Sequence, residues 1–122
     1  MVFPGTWPQD CPPSHAVDAN AVVFYVVKSS PCEAADFRSK AERGQHPDAD
    51  PCNRCGLSVW LEEEDARYIA RKYPRGLGKL IAKARLDSSH GKLLKTYERS
   101  HHTWWPLIGV TRHALFEVVG SI

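Results

Sequence analysis

The stretch AVVFYVVK, residues 21–28, runs through six consecutive β-branched or aromatic side chains before it meets a charge. It is too short for an ordinary helix, and no polar residue falls on alternate positions as a half-exposed strand requires. It therefore reads as the central strand of a sheet, covered on both faces. Such a strand needs one layer of structure above it and another below, and the flanking sequence has to supply both.

Upstream, residues 1–20 carry Pro4, Pro8, Pro12 and Pro13, each removing a backbone donor and biasing the preceding residue away from helix. They read as an extended arm that Trp7 can pin, in front of a single domain over residues 21–122. Downstream, SPCEAADFRSKAERG (30–44) has the marks of a helix. Ser30 is the N-cap, Pro31 follows it, Glu33 lies three residues after the cap, and Gly44 is the stop. Ala34, Phe37 and Ala41 share its packing face, while Asp36, Ser39 and Arg43 lie together on another and read as a solvated face. QHPDADP (45–51) is a loop by composition.

GLSVWL (56–61) alternates Leu57, Val59 and Leu61 with Ser58 and Trp60, the period of a strand. EEEDARYIARKYP (62–74) opens on four acids, closes on bases and Pro74, and places Ala66, Ile69, Ala70 and Tyr73 at helical spacing. KLIAKARLD (79–87) reads as a strand with one basic face that holds Lys83 and Arg85. GKLLKTY (91–97) and ALFEVV (114–119) add further strands, the second with Glu117 turned outward. The order strand, helix, strand, helix and then strands predicts an α+β domain with a mostly antiparallel sheet and two main helices.

A chain of 122 residues, 43% hydrophobic and 25% charged, suits one domain around one core. No run of about eighteen apolar residues offers a membrane span, and the first residues lack the basic start and apolar centre of a signal peptide. A cytoplasmic protein is expected, in which free thiols or a metal site are favoured over disulfides for the four cysteines. CNRCG (52–56) offers Cys52 and Cys55 to one zinc ion, with Gly56 relieving the turn. That is half of a tetrahedral site, and only scattered Cys11, Cys32, His15, His46, His90 and the His101/His102 pair remain to complete it. Catalytic thiols and ordinary reduced cysteines are the alternatives.

Residues 1–66 hold 5 Lys and Arg against 11 Asp and Glu, whereas residues 67–122 hold 11 against 3. The second half is a candidate surface for anions, unless folding sets the two halves against each other. Within it stands SHHTWWP (100–106). His101 or His102 suits a general acid or base near neutral pH, and in an extended segment only one of the two faces a given pocket. Trp104 and Trp105 are opposed in the same way, one entering the core and the other offering a wall on which a base stacks. Lys83, Arg85 and Arg99 would hold the anion. The structural reading of the same residues is a packed aromatic corner.

FYVV, DFRS, GLSVW, EDARYI, SHHTWWP and LFEVV, in this order, resemble small bacterial proteins of unassigned function that end in an HHTWWP-like segment followed by a strand. The chain is more distantly similar to ADP-ribosyltransferase-like toxin domains. That resemblance implies substrate-site roles for Tyr25 and Ser58 and an acidic role for Glu117. The usual Arg or His of the first strand is missing, and Glu117 stands in no E-x-E or Q-x-E pair. The expectation is a small enzyme, toxin-like in size and charge, acting on RNA or a dinucleotide through a histidine. The alternative is a non-enzymatic module that docks a protein or nucleic acid, stapled by zinc at Cys52 and Cys55.

Overall fold

The computed structural model describes residues 2–122. AVVFYVV forms strand β2 (Ala21–Val27), which pairs with β3 (Leu57–Trp60) on one side and β4 (Leu80–Leu86) on the other. Around this triplet, β5 (Gly91–Lys95), β6 (His101–Pro106), the two-residue β1 (Val17–Asp18) and β7 (Glu117–Ser121) complete one antiparallel sheet. Its order is β1-β5-β6-β3-β2-β4-β7. The chain is thus an α+β fold, with helices α1 (Pro51–Cys55) and α2 (Glu63–Lys72) on one face.

The two faces are built differently. On the helical face, Val26, Trp60 and Ile81 lie beneath Ala66 and Ala70 of α2. Farther along it, Trp105 lies beneath Cys55 of α1 and the arm residues Phe3, Trp7, Cys11 and Ala16. Short 3-10 turns at Ala34–Phe37 and Arg112–Leu115 cap the other face. There Phe37 and Phe116 close over Val23, Tyr25, Val59, Ala84, Leu86 and Trp104. The Phe37 ring sits 4.7 Å from Tyr25 and 4.8 Å from Phe116. β2 is therefore covered along the face that Phe37 and Phe116 close, whereas on the helical face only its Val26 end is buried, Phe24 is half-buried and Val22 is exposed, so the double cover its composition suggests is incomplete.

The helix expected over residues 30–44 does not form; only Ala34–Phe37 make a single 3-10 turn, and Ala34 is exposed. Asp36 explains the stop: its carboxylate accepts from the Lys28 and Glu33 amides, both at 3.1 Å, tying the turn to the end of β2. Beyond it Phe37 and Ser39 are both buried with Arg38 exposed between them, a period of two that a helix cannot provide. Asp36, Ser39 and Arg43 accordingly share no helical face. α1, in contrast, emerges from a segment whose start reads as loop. The Asp50 side chain accepts from the Asn53 amide at 2.8 Å and Pro51 follows at the first helical position. The last strand is shifted to Glu117–Ser121 because Phe116 is drawn into the core.

The arm crosses the helical face, and its end joins the sheet as β1. Cys11 meets Cys52 there in a disulfide with Cα atoms 5.5 Å apart, which overturns the expectation of reduced thiols. Both cysteines pack around Trp105, whose Nε1 donates to the Cys52 carbonyl at 2.9 Å. Closing a loop of 41 residues is worth about 4 kcal/mol in the chain-entropy model. Denaturant unfolding with and without reductant should show a loss of about that size on reduction, and Cys11→Ser measured in reductant should match the reduced parent.

Candidate binding surface on the helical face

SHHTWWP supplies strand β6, so its side chains divide between the faces. His101 points to the helical face, where it is 8% exposed and wedged between the rings of Trp60, at 5.3 Å, and Tyr97, at 5.0 Å. Its Nδ1 donates to the Thr96 carbonyl at 3.1 Å and lies 2.9 Å from Thr96 Oγ1, which meets Thr103 Oγ1 at 2.8 Å. Burial, reinforced by His102, Lys40 and Lys95, pushes the His101 pKa down from 6.5 to about 4. The ring is neutral at neutral pH and its surroundings orient it as a structural group.

His102 faces the other way, half-buried, and donates from Nδ1 to the Ser100 carbonyl at 2.9 Å. The two histidines therefore share no pocket. Both tryptophans are fully buried on opposite faces, so neither offers a stacking wall. The reason is that β6 is an interior strand roofed on each side; Trp104 Nε1 donates to the His90 carbonyl at 3.0 Å, as Trp105 does to Cys52.

The three expected anion holders are likewise dispersed. Lys83 and Arg85 stand exposed on β4, three strands from β6 and so about 14 Å away. Lys83 lies 6.0 Å from the Phe24 ring, and Arg85 bonds Asn20. Arg99 is paired with Asp65 at 3.3 Å. Tyr25 is buried on the face opposite Ser58, donates to the Asp36 carbonyl at 2.7 Å, and has its pKa raised by burial to about 12. With Glu117 exposed on the outer strand β7, the residues implied by the toxin resemblance do not converge.

The zinc reading of Cys52 and Cys55 fails on geometry: Cys52 is spent in the disulfide, and the buried Cys55 thiol donates to the Pro51 carbonyl at 3.4 Å. Among the described residues no cluster of three or more His, Cys, Asp or Glu is placed to hold a metal. Gly56 is required for a different reason than a turn. Its φ is −97°, but a Cβ there would collide with the Thr103 methyl and come within 3.0 Å of the Trp104 carbonyl.

What the fold does assemble lies around the loop between β5 and β6. Tyr97 and Arg99 both adopt left-handed backbone conformations, φ 54° and 55°, which is uncommon for side chains of this bulk. Lys95 Nζ donates to the Tyr97 carbonyl at 2.8 Å, and the Ser100 amide donates to Asp65 Oδ2 at 3.0 Å. Hydrogen bonds from Ser100, together with the Arg99 charge, hold the Asp65 carboxyl below the usual range. Locked against α2, the loop lays the Arg99 guanidinium 3.7 Å over the exposed ring of Tyr68. One helical turn on, Lys72 Nζ lies 5.9 Å from Tyr68 and 5.7 Å from Tyr73. Arg99, Tyr68, Lys72 and Tyr73 thus form a continuous exposed ladder of cations and rings.

On the other side of the loop Tyr97 accepts from Asn53 Nδ2 at 3.4 Å. It helps line a niche of about 20 Å³ with Lys40, Arg54, Ser58 and Thr103, room for little more than a water molecule. Of the expected site residues, only Arg99 belongs to the ladder and only Ser58 to the niche. Tyr68, Tyr73 and Tyr97 carry no ligand signature of their own in the sequence, and Tyr73 stands at the spacing of the apolar face although it is half exposed. The pairing of Tyr68 with Lys72 at i,i+4 was the available signal. Comparison of the chain with protein-family models, with curated proteins and with solved structures found no match.

Because the unfolded chain binds a proton at His101 near pH 6.5 and the folded one only near 4, the neutral ring's contribution is complete above the first value. It is lost as pH falls towards the second, by up to about 3 kcal/mol. Urea titrations across this window should show that slope in the parent and a flatter one in His101→Gln. His102→Gln should retain it.

Proposed function

We propose that this chain is a non-enzymatic interaction module that binds single-stranded nucleic acid along the flank of α2 and the β5–β6 loop. The observation that carries the reading is the exposed Arg99, Tyr68, Lys72, Tyr73 ladder. Arg99 lies close over the Tyr68 ring, and Lys72 reaches both Tyr68 and Tyr73 at the outer range of a cation–π contact, so cations and rings alternate without a break along this flank. Tyr68, Tyr73 and Tyr97 expose 39, 50 and 65% of their area, an unusual amount of ring for solvent to cover unless a partner stacks on it. Lys72, Arg75 and Lys79 make no ion pair among the described residues, which leaves their charge available to phosphates. Rings that take any base, alternating with cations that take the backbone, suit an unpaired strand better than a duplex.

The enzymatic reading has less behind it, because the two imidazoles and the two indoles point to opposite faces of the sheet, and Lys83 and Arg85 stand three strands from β6. No helix among the described residues is long and apolar enough to cross a membrane. The disulfide favours an oxidising compartment over the cytoplasmic one read from composition.

Fluorescence anisotropy with a labelled single-stranded RNA of about ten nucleotides tests this. Tyr68→Ala and Tyr73→Ala should each weaken binding on the order of tenfold, as loss of one stacked base implies. Lys72→Ala should reduce the slope of log K against log salt by about 0.7. Equal affinity for the parent and all three variants, or stronger binding to an acidic peptide than to RNA, would overturn the proposal.

A further inference from the structure

We propose that Cys11, Cys52 and Cys55 form a thiol–disulfide exchange centre that can transfer the arm's covalent tether to α1 itself. Three of the chain's four cysteines meet in one apolar cluster around Trp105, whereas Cys32 packs against the separate core on the other face. Cys52 and Cys55 are three residues apart on α1, which puts them on the same side of the helix with Cβ atoms about 5–6 Å apart. A disulfide needs about 3.5–4.5 Å, so tightening one turn by about 1–2 Å is enough. α1 is five residues long and ends at Cys55, so that turn is a helix end with nothing helical beyond it to resist.

The step needs no outside oxidant. Cys55 gives up its proton, and its thiolate sulfur attacks Cys52 Sγ. The Cys52–Cys55 bond forms as the Cys11–Cys52 bond breaks, and the electron pair leaves on Cys11 Sγ, which takes up a proton. One disulfide and one thiol are present before and after. Burial raises the Cys55 thiol above its ordinary range, against the attraction of Arg54; Glu42 is the other charged group that acts on it. The tethered form is the one the structure holds, and because only the thiolate attacks, exchange quickens as pH rises.

The consequence falls on the arm. With Cys11 released, it is held at its ends, by the Ile108 amide donating to the Val2 carbonyl at 3.0 Å and by β1 pairing with β5. Between those points Phe3 and Trp7, stacked at 5.5 Å, keep only apolar contact with the Trp105 cluster. The exchange converts a covalently strapped face into one the arm can leave.

The full-length protein, quenched with acid and alkylated, is to be mapped by mass spectrometry after incubation at neutral and alkaline pH. A Cys52–Cys55 species with alkylated Cys11 should appear and grow with pH, and be absent in Cys55→Ser. Cys11→Ser, purified in air, should carry the Cys52–Cys55 disulfide. Amide exchange over residues 5–15 should then be faster than in Cys55→Ser on the order of tenfold. Alkylation of both Cys52 and Cys55 in Cys11→Ser would overturn the proposal. So would the absence of the Cys52–Cys55 species from the parent protein at alkaline pH, a readout that does not depend on how well the variants fold.

Discussion

Two tryptophans in succession on one strand impose the constraint from which the rest of this structure follows. Trp104 and Trp105 project from opposite faces of β6, and both are fully buried. Removing each from water contributes on the order of 4–5 kcal/mol before chain entropy is counted, so the pair rivals the net stability of a small domain. Both indole N–H groups need acceptors, and both find backbone carbonyls, at His90 and Cys52. Covering Trp104 takes Phe116, with Phe37 packed behind it. Covering Trp105 takes α1 and an arm rich in proline, which cannot form a sheet or helix of its own over it.

The disulfide belongs to that second cover. A proline-rich segment has few backbone donors with which to hold itself in place, and its apolar contacts come mainly from Phe3, Trp7 and Ala16. A covalent tie at Cys11 compensates for this, and it requires its partner to lie where α1 begins. Gly56 completes the arrangement by letting the chain leave α1 in contact with β6. Cys55, one turn from the tie, makes the anchoring point chemically convertible as well as mechanically firm.

The same packing accounts for where function can reside. His101 is consumed in holding the β5–β6 loop, between Trp60 and Tyr97 and over the threonine hydroxyls. The loop it supports is the one that presents Arg99 to Tyr68. One short segment thus has two sides: a neutral imidazole packed beneath it and a cation laid on an aromatic ring above. The basic excess of residues 67–122 reaches the surface in part through this flank, while Arg67, Arg71 and Arg99 spend charge on the acids at the start of α2.

Much of the scaffold was legible in the residues themselves. AVVFYVV had to be an interior strand, the acid-to-base gradient over residues 62–74 had to be a helix, and GLSVW and LIAKARL declared extended structure by their alternation. Each is a periodicity carried by near neighbours, which is why the chain alone determined it. The false helix at 30–44 had good local marks and lost to Asp36, whose carboxylate found amides in β2's end and its own turn. Whether Cys52 met zinc, a reduced neighbour or Cys11 depended on where a residue 41 positions away came to lie. The ladder on α2 likewise joins Tyr68 to Arg99 from a different loop. Spacing along the chain records what one element will be; only the stacking of elements decides which distant side chains become neighbours, because that choice is made by burying both faces of β6 at once.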